Sequence, residues 1–241
     1  SAQGGEPYIV FGYGSLIFKP PPHTIIETPG YLKGYVRRFA QRSHDHRGTR
    51  ESPGRVVTLV HQEDWETFSG SDPFPDEDVV WGEIAYTIDP AYAAEVRDYL
   101  DYREKDGYTL EQVDIYGIVD GIERVLTHDA VCYVGRSDNP SFDGSQPLDN
   151  IAAIIHRSVG PSGPNKACFE YLYKLAAAVR EMAPESYDSH LFALEVCFVA
   201  VSRSRCSLCA PALASTTEQE KVRALELAHA LETRTKVTSN P

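Results

Sequence analysis

Short apolar runs separated by Gly, Pro and polar turns fill the first part of the chain. Tyr8-Ile-Val-Phe11, Tyr35-Val-Arg-Arg-Phe39 and Val56-Val-Thr-Leu-Val60 have the length and the β-branched or aromatic content of strands. Pro20-Pro-Pro22 and residues 43–54 carry turn chemistry and are expected as loops. Residues 62–78 are acidic, contain Pro73 and Pro75, and are expected as a solvated excursion ahead of a further strand over 79–88. Asp89-Pro90 then supplies an N-cap and a proline at the first helical position, and Gly107 supplies a stop. Within that helix Tyr92, Val96, Tyr99, Leu100 and Arg103 form the inward stripe. Two more strands are expected over 110–118 and 124–134. Helices follow over 149–158, with Ile151, Ile154 and Ile155 on one face, and over 169–182, through Phe169, Leu172, Leu175, Ala176 and Val179. About six strands ahead of the longest helices predict an α+β fold, a small closed or strongly curved sheet with helices packed outside.

A chain of 241 residues with 42% hydrophobic and 24% charged positions can bury a full core. Its charge of −12, without a Lys/Arg run, argues against a nucleic-acid partner. No run approaches the ~18 apolar residues of a membrane span, and Ser1 to Pro7 lacks a signal-peptide layout. No membrane partner and a soluble, cytoplasmic protein are therefore expected. The five cysteines, Cys132, Cys168, Cys197, Cys206 and Cys209, are odd in number and suit reduced thiols better than a disulfide framework. Cys206 and Cys209 form a lone C-x-x-C, read as a loop, with zinc or redox chemistry as the lesser reading. Residues 196–217 turn Ser/Cys-rich with weak periodicity and are expected as an irregular insertion or an unremoved intervening segment. Residues 218–234 regain a helical stripe through Val222, Leu225, Ala228 and Leu231.

Chemistry has several candidate locations. Phe11-Gly-Tyr-Gly-Ser-Leu-Ile17 follows a strand, and Gly12 and Gly14 permit backbone angles that let successive amides form an anion or oxyanion nest. It is not a dinucleotide fingerprint, a nucleophile elbow or a phosphate loop, because the defining residues are missing. A simple tight turn is the alternative. In Tyr102-Arg-Glu-Lys-Asp-Gly-Tyr108, Glu104 continues the stripe Tyr92, Val96, Leu100, so its carboxyl is expected to be desolvated and raised in pKa. The alternative is a frayed helix end with Glu104 paired to Arg103 or Lys105. Glu95 lies nine positions earlier, about two and a half turns away, and so on the opposite face. Within Ser43-His-Asp-His-Arg-Gly48, His44 and His46 lack a third ligand for a metal, and Arg47 is a candidate carboxylate binder or a structural loop arginine. Gly160-Pro-Ser-Gly-Pro164 is a rigid connector to the helix that carries Tyr171. No Ser or Cys stands in a nucleophile's setting.

Taken in order, Val10-Phe-Gly-Tyr-Gly-Ser-Leu-Ile17, Arg37-Arg-Phe39, Asp45-His-Arg-Gly48, Pro53-Gly-Arg-Val-Val-Thr-Leu59, Trp81-Gly82, Tyr99-Leu-Asp-Tyr-Arg-Glu-Lys-Asp-Gly-Tyr108, Tyr133-Val-Gly135 and Gly160-Pro-Ser-Gly163 resemble the ChaC family of glutathione-specific γ-glutamylcyclotransferases. The resemblance covers residues 8–195 and implies one catalytic domain, a small six-stranded barrel surrounded by helices, with no metal and no organic cofactor. It implies glutathione as substrate, with 5-oxo-L-proline and L-cysteinylglycine as products. Carried over residue by residue, the catalytic glutamate is Glu104 and the γ-glutamyl-binding loop is Val10, Phe11, Gly12, Tyr13, Gly14 and Ser15. Tyr171 matches a pocket tyrosine, and Glu95 a position where similar proteins also hold an acid. Departures are the acidic stretch 62–78, Phe18 in place of Trp or Tyr, and the Cys-rich segment. A broader γ-glutamyl-amino-acid cyclotransferase, or a non-catalytic protein binding a small anion or a partner, are the competing expectations.

Overall fold

The computed structural model describes residues 7–68, 72–74, 79–104, 107–160, 168–182 and 188–205. Strand alternation divides the interior into separate cores. In β1 (Tyr8–Gly12) Val10 packs with Ile84, Tyr86 and Ile88, whereas Phe11 joins Ala85, Ala130, Cys132 and Val134 on the other side. β1 pairs antiparallel with β5 (Val79–Ile88) and meets β7 (Ile122–Val134) in parallel at Val10 and Val131. With β2 (Thr24–Lys33) and β6 (Thr109–Val119) these strands close a barrel in the order β1-β5-β2-β6-β7.

The barrel thus has five strands instead of the six expected. The strands predicted around 35–39 and 56–60 pair with each other as a separate ribbon, β3 (Tyr35–Ser43) and β4 (Gly54–His61). Both ribbon faces are buried: Phe39, Val57 and Leu59 join the main core, while Val36, Ala40 and Val60 pack around Trp65. β2 has no counterpart among the predicted strands. It carries Pro29 and Gly30 and exposes Ile25 and Ile26, so neither alternation nor composition marks it. Pro29 is tolerated because β2 pairs with β6 only at Tyr31, leaving one edge free of a ladder there.

Four longer helices complete the architecture: α3 (Ala93–Arg103), α4 (Leu148–Arg157), α5 (Cys168–Met182) and α6 (Ser189–Arg205). Short helices α1 (Ser15–Phe18) and α2 (Gln62–Glu66) sit in the connections. Asp89 caps the 3-10 turn Pro90–Tyr92 ahead of α3 by accepting the Ala91 N–H at 2.9 Å. Val96 and Leu100 are buried as expected, but Tyr92 and Tyr99 face outward. α6 remains helical through Arg205, so the irregular segment predicted from residue 196 is helical as far as it is described; the rest of 196–217 and the helix predicted over 218–234 lie outside the described residues. The described part of the excursion over 62–78 is only partly solvated, with Glu63, Glu66, Thr67 and Pro73 exposed. Trp65 and Phe74 are buried, and Trp65 Nε1 donates at 2.6 Å to Asp72, which pairs with the buried Arg38 at 2.8 Å. Two large rings and an inward ion pair outweigh the acidic composition. No described helix is long and apolar enough to cross a membrane.

Gly30 shows how closely the barrel strands approach: a Cβ there would lie 2.5 Å from Ile115 Cγ2 and 2.8 Å from the Tyr116 carbonyl oxygen. Because one obstacle is backbone, Gly30→Ala is expected to destabilise the fold by about 1–3 kcal/mol, read from urea denaturation midpoints. An unchanged midpoint would show that the strands can separate without cost.

Candidate active site

One further helical turn beyond Val96 and Leu100, the buried stripe of α3 reaches Glu104. Its N–H donates to the Leu100 carbonyl at 2.8 Å, so the acid sits on the helix terminus. The side chain is 19% exposed and its Oε1 is 3.4 Å from Arg103 Nε. Burial raises the carboxyl pKa above its ordinary value, and the Arg103 charge opposes that rise. The Arg103 pairing weighed as a structural alternative is therefore present, but it occurs in a desolvated place. Glu95 points away. Its side chain is 66% exposed and lies 3.7 Å from His23 Nε2, on the face that helix geometry predicts.

Beside Glu104 lies the turn that ends β1. The two glycines there have no positive φ; space, not backbone angle, requires them. A Cβ on Gly12 would lie 2.8 Å from Leu16 Cβ and 2.9 Å from Tyr86 Cε2, and one on Gly14 would lie 3.0 Å from Tyr171 Oη. The buried Arg37 donates to the Tyr13 carbonyl at 3.3 Å and is itself held by Asp188 at 2.8 Å. A trans peptide aims its N–H opposite its C=O, so this bond turns the Gly14 N–H away from Arg37. The Ser15 and Leu16 N–H groups that follow belong to the first turn of α1 and have no intrahelical acceptor, whereas the Ile17 N–H already donates to the Gly14 carbonyl at 3.1 Å. Arg103 Nη2 donates to Ser15 Oγ, tying this turn to the residue next to Glu104.

Tyr171, on α5, is buried against the turn, and desolvation pushes its phenol pKa up, so it stays protonated and can donate. The Glu104 charge contributes to the raised pKa of both Tyr13 and Tyr171. Tyr13 Oη is already committed, donating to the Tyr133 carbonyl at 2.6 Å. The Arg47 guanidinium stands 5.2 Å from the centre of the Tyr171 ring, and burial lowers its pKa. Glu104, the loop, Tyr171 and Arg47 thus converge. Val10 and Phe11 enter only through their backbone, since both side chains are packed in cores. Sequence reasoning gave Arg103 only the part of an ion-pair partner for Glu104 and gave Arg37 none; the signal available was the placement of Arg103 on the inward stripe. Among the described residues, no group of three or more His, Cys, Asp and Glu is placed to hold a metal ion.

The ChaC-like protein family model matches residues 8–201. The chain belongs to the ChaC family. The glutathione-specific gamma-glutamylcyclotransferase of Schizosaccharomyces pombe is 47% identical over 186 residues, covering 77% of this ChaC chain and 89% of that protein. The Saccharomyces cerevisiae protein of the same name is 38% identical over 201 residues, covering 72% and 85%. A crystal structure of a yeast gamma-glutamyl cyclotransferase specific to glutathione superposes with TM-score 0.68 at 35% identity, covering 83% of this chain and all of the other.

The raised pKa of Glu104 has a measurable sign. Below the ordinary carboxylate value the folded and unfolded chains are both protonated at this residue. As pH rises past that value the unfolded chain ionises first, and the native state loses stability until Glu104 itself ionises. Glu104→Gln removes this loss. Its Tm is expected to exceed the parent's at about pH 7, with the gap closing near pH 4; a gap that does not depend on pH would contradict the desolvated carboxyl.

Proposed function

We propose that this chain is a glutathione-specific γ-glutamylcyclotransferase, with Glu104 as its acid–base residue and the Gly12–Ser15 turn as its oxyanion site. The observation that carries the assignment of residues is a desolvated carboxyl, Glu104, linked through Arg103 to the turn at Ser15. In glutathione the α-amine of the γ-glutamyl group closes a five-membered ring on its own γ-carbonyl, so the site has to fold the substrate and manage protons. Glu104 takes a proton from the α-ammonium. The freed amine attacks the γ-carbonyl, and the oxyanion is met by backbone N–H groups of the turn. The C–N bond to cysteine then breaks as Glu104 returns that proton to the departing amine, and the second proton of the attacking nitrogen passes to the same amine, releasing 5-oxo-L-proline and L-cysteinylglycine as its ammonium form. A raised pKa serves both halves, because the same group must accept and then give a proton near neutral pH.

Tyr171 offers its protonated hydroxyl beside Gly14, and Arg47 stacks on that ring as a second cationic wall of the pocket. Val10 and Phe11 serve by holding the strand end in place. The transfer is intramolecular and needs neither water nor a nucleophilic side chain, in keeping with buried Cys132 and Cys168, which are packed in the main core. We place the enzyme in the cytoplasm, where a reducing environment suits the free thiols Cys132, Cys168 and Cys197.

Glu104→Gln is expected to lower 5-oxoproline release by about 100-fold or more while glutathione still binds in calorimetry. Retained turnover would remove Glu104 from the mechanism. Glutathione is expected to be turned over in preference to γ-glutamyl-alanine, and equal rates would mean a broader cyclotransferase.

A further inference from the structure

Arg103 carries a donor that the protein leaves unfilled. Its side chain is 12% exposed, Nη2 donates to Ser15 Oγ, and Nε faces Glu104 at 3.4 Å. Nη1 is buried and has no acceptor among the described residues. A buried guanidinium N–H without an acceptor is costly, and an anion is the acceptor that offsets this best. Arg37, Arg38 and Arg55 instead donate to Asp188, Asp72 and Asp143, while Arg42 and Arg47 each keep a buried Nε without an acceptor among the described residues, neither of them next to Glu104 in the chain. For Arg103 the free position lies beside the turn and the base.

We propose that Arg103 binds the α-carboxylate of the γ-glutamyl group through Nη1 while the adjacent Glu104 receives the α-ammonium. This rests on the cyclotransferase reading and deepens it. The two charged groups of the substrate's amino-acid end are attached to a single carbon. A site whose base is Glu104 therefore brings the carboxylate within reach of a side chain 3.4 Å from that base, and Arg103 is that side chain. The glycine carboxylate, at the far end of the tripeptide, is not constrained in this way. Holding the α-carboxylate also fixes rotation about the substrate's α-carbon, leaving the amine directed at the γ-carbonyl. Once the carboxylate faces Arg103, its charge offsets the guanidinium, and the pull that keeps the Glu104 carboxyl acidic weakens. Substrate binding thereby strengthens the base that acts on it. Arg103 is a substrate-positioning residue, and Ser15 is the residue that aims it.

The test uses the parent, Arg103→Met and Arg103→Lys with three substrates. These are glutathione, its glycine carboxamide, and 4-aminobutanoyl-Cys-Gly, which keeps the amine and the scissile amide but has no α-carboxylate and closes to 2-pyrrolidinone. Arg103→Met is expected to lose about 100-fold in kcat/KM with glutathione and with its carboxamide, and little with the 4-aminobutanoyl compound. Arg103→Lys should fall between, because it keeps the charge without the forked donors. Equal losses on all three substrates would mean a purely structural arginine and overturn the proposal. A loss abolished by the carboxamide instead would assign Arg103 to the glycine end and overturn it as well. Calorimetry on the Glu104→Gln background gives the same comparison without turnover: adding Arg103→Met should weaken glutathione binding and leave the 4-aminobutanoyl compound unaffected. If the parent releases no 5-oxoproline, the cyclotransferase reading falls by itself, while the binding comparison still decides the role of Arg103.

Discussion

β1 is five residues long, and the candidate active site depends on where it is inserted. Lodged between β5 and β7, it closes the barrel, and its two faces feed different cores. Val10 commits it to the side where α3 packs through Val96 and Leu100; Phe11 commits it to the side where α5 packs through Tyr171 and Leu172. The turn that leaves its end therefore emerges between α3, which brings Arg103 and Glu104, and α5, which brings Tyr171. Close packing at Gly12 and Gly14 keeps that meeting tight. A side chain at Gly14 would press on Tyr171 of α5, and one at Gly12 on Leu16 and Tyr86.

Charge is handled locally. The chain carries −12 overall, yet the proposed substrate is an anion, and the surface field works against their encounter. At contact distance the field matters less than the groups in the pocket, since exposed charges beyond about 10 Å are screened by salt. Arg47 and Arg103 are both mostly removed from water, where a guanidinium acts strongly on a carboxylate. Arg37, by contrast, is paired with Asp188 and donates to the Tyr13 carbonyl. One arginine shapes the backbone, and others are left available to a ligand.

Much of this was legible in one dimension. The stripe Val96, Leu100, Glu104 predicts a buried carboxyl because helical periodicity is a local property, and the structure buries it. The same arithmetic puts Glu95 on the far face, where it meets His23. Tyr92 and Tyr99 depart from the expected stripe because their aromatic character says nothing about whether a neighbour arrives to cover them. β2 escaped notice for a related reason. Its pairing partners lie far along the chain, and Pro29 with exposed isoleucines erases the alternation that would announce a strand.

Local order along the chain thus determined the α+β class, the positions of α3, α4 and α5, the desolvation of Glu104 and the turn beside it. Tertiary structure decided how many strands close the barrel, because β3 and β4 satisfy each other's backbone instead of joining it. It also decided that Trp65 and Asp72 turn inward, and that Arg103 reaches Ser15 across 88 positions of chain. Periodicity records which face of an element is apolar, but not which distant group will fill a given donor. That choice is made only when the elements are packed, and the unfilled Nη1 of Arg103 appears only then.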